Sequence, residues 1–450
     1  MLGILLFTIL VISIYVAWGA FPGISGYGAK NLCSCLFVGD RDEQTVRKEE
    51  LSDGFIRFGT FTVNREDSSV TGTVLGLAKR KAIYRPGAGC TLINDITEKE
   101  LRNQNLAIPA TRSTDSASLP WLVHAFADTN NQRIDIDKIN LVVKNIFQDT
   151  GANKKIKTRA VIIIHDGKML IEKYATGFNE NNRLIGWSIA KSITSAMIGI
   201  LVNEGKLNVN DLAPVPAWKD EKDKRHYIKI EHLLQQTSGL DFVEKYGRPS
   251  EVITMLFSKG DMAKFAASRP LKSAPGMRFN YTSGNTNILQ GIIRQTVGEG
   301  SYHSFPYTAL FQKIGMSSAI LETDAAGNFV GSSYLYATPR DFARFGLLYL
   351  NDGVWNGERI LPEGWVKQSC IPAEAEPQKQ YGYQFWLNGF DVKNPSKRIF
   401  SGVPDDMFYA DGYGGQRIFI IPSKKLVVVR MGLHVFDEKT FLREIVEAID

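Results

Sequence analysis

The stretch Ser188-Ile189-Ala190-Lys191 opens a run of apolar residues that recur at helical spacing. The run predicts a helix over residues 188–204. Residues at i and i+3 share one face of a helix, so the Lys191 amine can reach the Ser188 hydroxyl. A serine in the first helical turn also lies beside unpaired backbone N–H groups, which stabilise a developing oxyanion. We therefore interpret the two residues as a nucleophile and its base.

Two observations favour this interpretation over a lysine on a solvated helix face. No other serine in the chain stands three residues before a lysine, and no carboxylate lies within a turn of Lys191. Burial in an apolar helix lowers the pKa of an ammonium group, which makes the amine a usable base.

The composition is that of a folded globular protein. Of 450 residues, 44% are hydrophobic and 22% are charged. A chain of this length is too long to fold around one small core. The net charge of +6 comes from scattered residues, and the densest basic run, 219–225, alternates in sign. This pattern indicates a solvated loop, so we expect no nucleic-acid partner.

The amino terminus is unusual in that residues 1–29 carry no charged side chain and residues 2–20 are almost continuously apolar. A segment of this length can cross a bilayer or form the core of a signal peptide. We expect an exported, periplasmic or extracytoplasmic protein. Residues 1–29 would be a signal peptide or, preferably, an uncleaved anchor, and would make the only membrane contact.

The chain has four cysteines, Cys33, Cys35, Cys90 and Cys370, an even number that permits disulfides in an exported protein. Cys33 and Cys35 are too close to pair comfortably with each other, so Cys90 is expected to pair with one of them. None of the six histidines is near a cysteine in the sequence, so a structural metal site is not expected. We expect no metal or organic cofactor.

The predicted elements divide the rest of the chain. Residues 30–130 mix short β-prone runs with turns and form an extension of unknown role. Residues 131–450 are predicted to form an α/β (α+β) domain with an antiparallel sheet flanked by helices. A hairpin at Asp166-Gly167 and late strands at 416–421 and 425–431 flank a stretch with a mostly helical pattern. The α/β part would therefore be residues 131–205 and 335–450, with a helical insertion at 206–334. The junction is expected to form a cleft.

Two further stretches are candidates for the same site. The first contains Tyr281, a possible proton-transfer group, and Ser283; the alternatives are a core aromatic and a helix cap. The second is Gly-rich and leads into the strand that begins at Gln416, whose N–H could face a substrate carbonyl; the alternative is an ordinary turn. Gly186-Trp187-Ser188-Ile189-Ala190 also approximates a nucleophile elbow, but that interpretation leaves Lys191 unexplained.

With Ser-x-x-Lys, a tyrosine and a Gly-rich strand edge in this order, the chain resembles the β-lactamase-related (penicillin-recognising) serine hydrolases. It is most similar to the branch of class C β-lactamases, esterases and 6-aminohexanoate-dimer hydrolases. Stretches 230–240 and 337–350 also resemble family signatures, and the resemblance covers roughly 135–450. It implies a β-lactamase/transpeptidase-like fold.

The resemblance also implies roles for individual residues. Ser188 would be the acylated nucleophile, Lys191 and Tyr281 would transfer protons, and the backbone N–H groups of Ser188 and Gln416 would form the oxyanion hole. The implied substrate-binding residues are Tyr413, Gly414, Gly415, Gln416 and Ser283. Two motifs depart from the family: Tyr-x-Asn is Tyr281-Thr282-Ser283 here, and Lys-Thr-Gly is Tyr413-Gly414-Gly415.

These observations predict an exported serine hydrolase that cleaves an ester or amide of a small molecule through an acyl-enzyme on Ser188. The missing lysine of the third motif argues against an efficient β-lactamase, because it would hold a substrate carboxylate. One alternative is a non-catalytic or slowly acylating penicillin-binding sensor. Another is a D-alanyl-D-alanine carboxypeptidase, for which Arg417 would be the neighbouring cation.

Overall fold

The computed structural model describes residues 2–109, 134–149 and 156–449, with side chains from residue 19 onward. Six antiparallel strands form its central sheet. In spatial order they are Trp386–Leu387, Phe408–Gly412, Gln416–Ile421, Leu426–Gly432, Thr158–His165 and Lys168–Tyr174. The sheet thus joins strands from distant parts of the chain, as predicted.

The predicted hairpin is confirmed at the edge of this sheet. His165 pairs with Lys168, and the two residues between them, Asp166 and Gly167, both have positive φ, 48° and 74°. Two consecutive residues of positive φ match the right-handed twist of the flanking strands, which is why Asp-Gly favours a two-residue hairpin.

Both faces of the central sheet are covered. Two consecutive residues of one strand, Val161 and Ile162, point to opposite faces of the sheet and belong to different hydrophobic clusters. On one face lie the helices Ile136–Ile146 and Glu438–Glu447; on the other lie Pro339–Leu350 and Ile189–Asn203. The last of these is called the nucleophile helix below.

The regular elements of the stretch 206–334 are almost all helices, joined by long loops. They are Pro216–Trp218, Lys224–Tyr227, Ile230–Leu234, Glu251–Ser258, Met262–Ala267, Ser283–Val297, Glu299–Tyr302 and the π-helical turn Pro306–Phe311. A small sheet in the order Leu184–Ile185, Leu335–Ala337, Ile320–Leu321 ties this stretch to the segment that leads into the nucleophile helix. Three short elements follow in the chain: Val354–Trp355, Glu358–Arg359 and the helix Trp365–Ser369.

The amino-terminal part forms a second, smaller assembly. One helix, Leu2–Phe37, continues through the boundary expected between residues 29 and 30 and is called the N-terminal helix. It packs on a four-stranded antiparallel sheet, the N-terminal sheet. The remaining elements are the strands Gly59–Asn64, Ser69–Val74, Leu77–Arg85 and Gly89–Leu92 and the helices Glu43–Glu50, Ile56–Phe58 and Glu98–Arg102. Residues 110–130 of the expected extension, and 131–133 of the expected hydrolase domain, lie outside the described residues.

A disulfide joins the N-terminal helix to this sheet. Cys33 pairs with Cys90, whereas Cys35 and Cys370 are free thiols. The prediction that Cys90 pairs with one of the two neighbouring cysteines is confirmed.

No helix within the described residues combines the length and apolarity needed to cross a bilayer. The described side chains of the N-terminal helix pack instead on the N-terminal sheet and on the helix Glu251–Ser258, with Leu32 and Cys33 fully buried. Export and a membrane anchor stay predictions.

Candidate active site

The nucleophile candidate lies at a sharp turn. Gly186 donates a backbone hydrogen bond to Leu335 O at 2.8 Å, and Trp187 then adopts a φ of +48°, which is unfavourable for a bulky residue. Ser188 follows as the first residue before the nucleophile helix, and its hydroxyl does not cap that helix. The turn therefore presents Ser188 at the positive end of a helix with its hydroxyl available.

The Lys191 amine is fully engaged at this position. Its side chain is about 1% exposed, and Nζ donates to Ser188 Oγ at 2.9 Å, Ser283 Oγ at 3.2 Å and the Ser332 carbonyl at 2.9 Å. Burial lowers the pKa of Lys191 to about 8, while the charges of Glu244 and Asp411 act in the opposite direction. The amine can therefore lose a proton near neutral pH.

Tyr281 lies beside the Lys191 amine and interacts with the Ser188 side chain. The centre of its ring is 5.0 Å from Lys191 Nζ, and the ring packs against Tyr381 and Trp386. Burial is the main reason that the pKa of Tyr281 is well above its ordinary value, and an interaction with the Ser188 side chain lowers it. The phenol is thus neutral and stands where it can relay a proton.

A buried glutamine holds the Tyr281 segment in place. Gln236 accepts hydrogen bonds from Thr282 N at 3.0 Å and Asn285 Nδ2 at 2.8 Å through Oε1, and from Asn280 N at 2.8 Å through its carbonyl. Gln236 belongs to the stretch 230–240 that resembles a family signature. Its contacts with the Tyr281 segment are not evident from the sequence.

Ser283 lies beside Lys191, as the resemblance implies, and its partner is a residue that sequence analysis missed. Glu244 accepts hydrogen bonds from Ser283 N at 2.9 Å, Ser283 Oγ at 2.7 Å and the Tyr246 hydroxyl at 2.7 Å. No local motif marks Glu244, because this contact joins segments 39 residues apart.

The Gly-rich stretch lies next to the nucleophile turn. Gln416 begins its strand opposite Gly412, where a Cβ atom would come within 2.2 Å of the Gly186 carbonyl oxygen. Only glycine permits this approach of the strand to the segment before Ser188. The side chain of Gln416 is anchored to Gly432, donating to its O at 2.7 Å and accepting from its N at 2.9 Å.

Two arginines stabilise this edge. The buried Arg430 donates to the Gly414 carbonyl at 3.1 Å and the Gly415 carbonyl at 3.0 Å, which orients the turn before Gln416. Arg417 forms ion pairs with Asp411 and Glu438. The cation considered for a carboxypeptidase is therefore already neutralised by two carboxylates.

Aromatic rings surround the turn at Trp187. Tyr413, 63% exposed, lies edge-on to Trp187 with ring centres 6.0 Å apart, and Tyr246 lies 6.1 Å from Tyr413. Tyr27 of the N-terminal helix stacks in parallel on Trp187 at 6.4 Å. We call Tyr27, Trp187, Tyr246 and Tyr413 the aromatic wall. The N-terminal helix thus contributes a side chain to the surroundings of Ser188.

The described residues include one sizeable cavity away from Ser188 and no cluster of metal-ligating side chains. Within the described ranges, no three or more His, Cys, Asp or Glu side chains group closely enough to hold a metal ion. A cavity of about 450 Å³ lies at the edge strand Trp386–Leu387, near Val366, Leu387 and Phe408, and none of the residues implied to act in catalysis lines it.

The chain is similar to several known proteins. A 6-aminohexanoate-dimer hydrolase of Paenarthrobacter ureafaciens is 26% identical over 299 residues, covering 61% of this chain and 72% of the relative. The solved structure of EstCE1, a hydrolase with promiscuous acyltransferase activity, matches with a TM-score of 0.56 at 15% identity, over 70% of this chain and 98% of EstCE1. An octameric penicillin-binding protein homologue from Pyrococcus abyssi matches with a TM-score of 0.50 at 19% identity, over 70% of this chain and 77% of the homologue.

The structural matches show the fold, and the predicted antiparallel sheet with flanking helices is confirmed. The model of the β-lactamase family matches residues 143–433, more than half of the chain. The chain therefore belongs to the β-lactamase family and is a serine hydrolase.

Proposed function

We propose that this serine hydrolase cleaves an ester or amide bond of a small molecule through an acyl-enzyme on Ser188. The observation that carries the proposal is the 2.9 Å contact between Lys191 Nζ and Ser188 Oγ at a helix start. A lysine whose pKa burial has lowered to about 8 supplies the neutral amine that the reaction needs.

In the acylation step, Ser188 Oγ attacks the substrate carbonyl carbon while its proton passes to the neutral Lys191 amine. The oxygen that becomes negative is stabilised by the backbone N–H groups of Ser188 and Gln416. The bond to the alcohol or amine then breaks, and the proton reaches the leaving group through Lys191 and Tyr281. Water attacks the resulting ester in the same manner, which releases the acid and restores the Ser188 hydroxyl.

Charge around the site favours substrates without a carboxylate. Tyr413 stands where the family's third motif has a lysine, and Arg417 is neutralised by Asp411 and Glu438. The Glu244 and Asp411 side chains add negative charge near Lys191. A substrate carboxylate would thus be repelled by these negative charges, whereas in the family the lysine of the third motif would bind it.

An ester should therefore be turned over far better than a β-lactam. We expect kcat/KM for p-nitrophenyl butyrate to exceed that for nitrocefin by at least about 100-fold, because a missing partner for a buried charge costs several kcal/mol. Both reactions are followed by absorbance, with buffer blanks for spontaneous hydrolysis. Equal or greater turnover of nitrocefin would contradict the proposed substrate class.

The aromatic wall should set the preference for the acyl chain. Tyr413→Ala removes an exposed ring beside Trp187, so kcat/KM for p-nitrophenyl octanoate should fall roughly 10-fold while that for the acetate changes less than about 2-fold. Tyr227→Ala is the matched control, since Tyr227 is 54% exposed, close to the 63% of Tyr413, but contacts His226. An equal loss for both esters would show that the wall does not select chain length.

A further inference from the structure

A continuous chain of hydrogen bonds connects the Glu244 carboxylate to the Ser188 hydroxyl. Glu244 Oε1 accepts from Ser283 Oγ at 2.7 Å, Ser283 Oγ accepts from Lys191 Nζ at 3.2 Å, and Lys191 Nζ donates to Ser188 Oγ at 2.9 Å. Lys191 and Ser283 are buried, and Glu244 and Ser188 at the two ends are half-buried.

The number of hydrogens on each group determines which group donates in each of these hydrogen bonds. A serine hydroxyl has one hydrogen, and a carboxylate can only accept, so the Ser283 hydrogen points to Glu244. The lone pairs of Ser283 Oγ are then left for Lys191. The ammonium has three N–H donors, and its three acceptors are Ser188 Oγ, Ser283 Oγ and the Ser332 carbonyl.

Glu244 is itself held from two sides. Its second oxygen accepts the Ser283 backbone N–H at 2.9 Å, at the start of the helix Ser283–Val297. The Tyr246 hydroxyl donates to Oε1 at 2.7 Å. A carboxylate with three donors from two segments has a defined place relative to Lys191, although its own segment is a loop.

We propose that Glu244 is a positioning residue for Lys191, which holds the Ser283 hydroxyl so that its lone pairs face the amine. The inference rests on the proposed function, because it assigns Lys191 the role of base. It also explains how serine serves at a position where the family has asparagine: Glu244 orients a hydroxyl whose direction would otherwise be free.

The sign of the effect on pH follows from the charges that face Lys191. Glu244 approaches from the loop and Asp411 from the strand Phe408–Gly412, and both charges raise the pKa of Lys191 against the effect of burial. Asp411, whose own pKa burial raises to about 6, is paired with Arg417, and the Tyr281 phenol is neutral. Activity must rise with pH as Lys191 becomes neutral, so removal of the Glu244 charge moves this rise to lower pH.

The test is the pH dependence of kcat/KM for p-nitrophenyl acetate in Glu244→Gln. Glutamine keeps the shape and an acceptor for Ser283, and we expect the midpoint of the rise to move down by roughly 0.5 to 1 pH unit. Glu251→Gln is the matched control, since Glu251 accepts from Val243 N at 3.2 Å in the same region and no hydrogen bond joins it to Ser283. Its midpoint should equal that of the wild type.

A second variant separates charge from orientation. Ser283→Ala keeps the carboxylate but removes the acceptor for Lys191, so the limiting rate should fall while the midpoint moves less than in Glu244→Gln. The rate of Ser188 labelling by a fluorophosphonate, measured over the same pH range, gives a readout of the first step alone. A Glu244→Gln protein with the midpoint and limiting rate of the wild type would overturn the inference, whereas absence of Ser188 labelling in the wild type would overturn the proposed function.

Discussion

The Ser188→Ala protein is expected to lose at least about 1,000-fold in kcat/KM for p-nitrophenyl butyrate while it keeps its fold. The substitution removes the only atom that can form the acyl-enzyme in the proposed reaction. The remaining rate would come from the oxyanion hole and from substrate binding. The fold should survive because the Ser188 hydroxyl does not cap the nucleophile helix.

Turnover, fluorophosphonate labelling and thermal unfolding should be measured together on this protein. Ser192→Ala is the matched control: Ser192 lies in the same helix, but its hydroxyl donates to the Gln384 carbonyl at 2.7 Å instead of facing Lys191. We expect it to keep its labelling and most of its activity. A Ser188→Ala protein with wild-type turnover would refute the mechanism. A wild type that is labelled but does not turn over would favour the slowly acylating sensor.

Local patterns predicted the elements that carry the nucleophile. The helix expected over 188–204 is observed over Ile189–Asn203, and the strand expected over 416–421 is observed as Gln416–Ile421. In both cases the pattern that predicts the element lies within one segment of the chain. It is the apolar periodicity for the helix and the Gly-rich boundary for the strand. The same holds for the i, i+3 spacing that brings Lys191 to Ser188.

The residues that support this pair could not be predicted from the sequence. Glu244 reaches Ser283 across 39 residues and Gln236 reaches Thr282 across 46. No local pattern marks Glu244, and the signature-like stretch that contains Gln236 does not indicate which segment this residue contacts. The apolar composition assigns Tyr27 to the expected signal or anchor segment. Its stacking on Trp187 could not be predicted, because this contact depends on how the N-terminal helix, which continues to Phe37, packs on the rest of the protein.

The second large effect is expected from a buried ion pair between the N-terminal helix and the hydrolase domain. Lys30 pairs with Glu322, and both side chains are almost fully buried. Glu322 also accepts from Ser34 Oγ at 2.8 Å and Cys90 N at 2.6 Å, and Lys30 Nζ lies 4.0 Å above the Tyr334 ring. Burial lowers the pKa of Lys30 and the charge of Glu322 opposes this, so loss of the carboxylate leaves the buried Lys30 cation without its counter-charge.

Glu322→Gln should therefore lower the free energy of unfolding by about 3–5 kcal/mol, measured by urea denaturation with the disulfide intact. Adding Lys30→Met to this variant should restore most of the stability, because the double variant has no unpaired charge and glutamine can still accept from Cys90 N. The pair Lys81–Glu98, whose side chains are 23% and 37% exposed, provides the control, since Glu98→Gln should cost only about 0–1 kcal/mol. If Glu322→Gln cost no more than Glu98→Gln, the pair would not hold the N-terminal helix in place. The packing of that helix would then rest on its apolar contacts and on the Cys33–Cys90 disulfide.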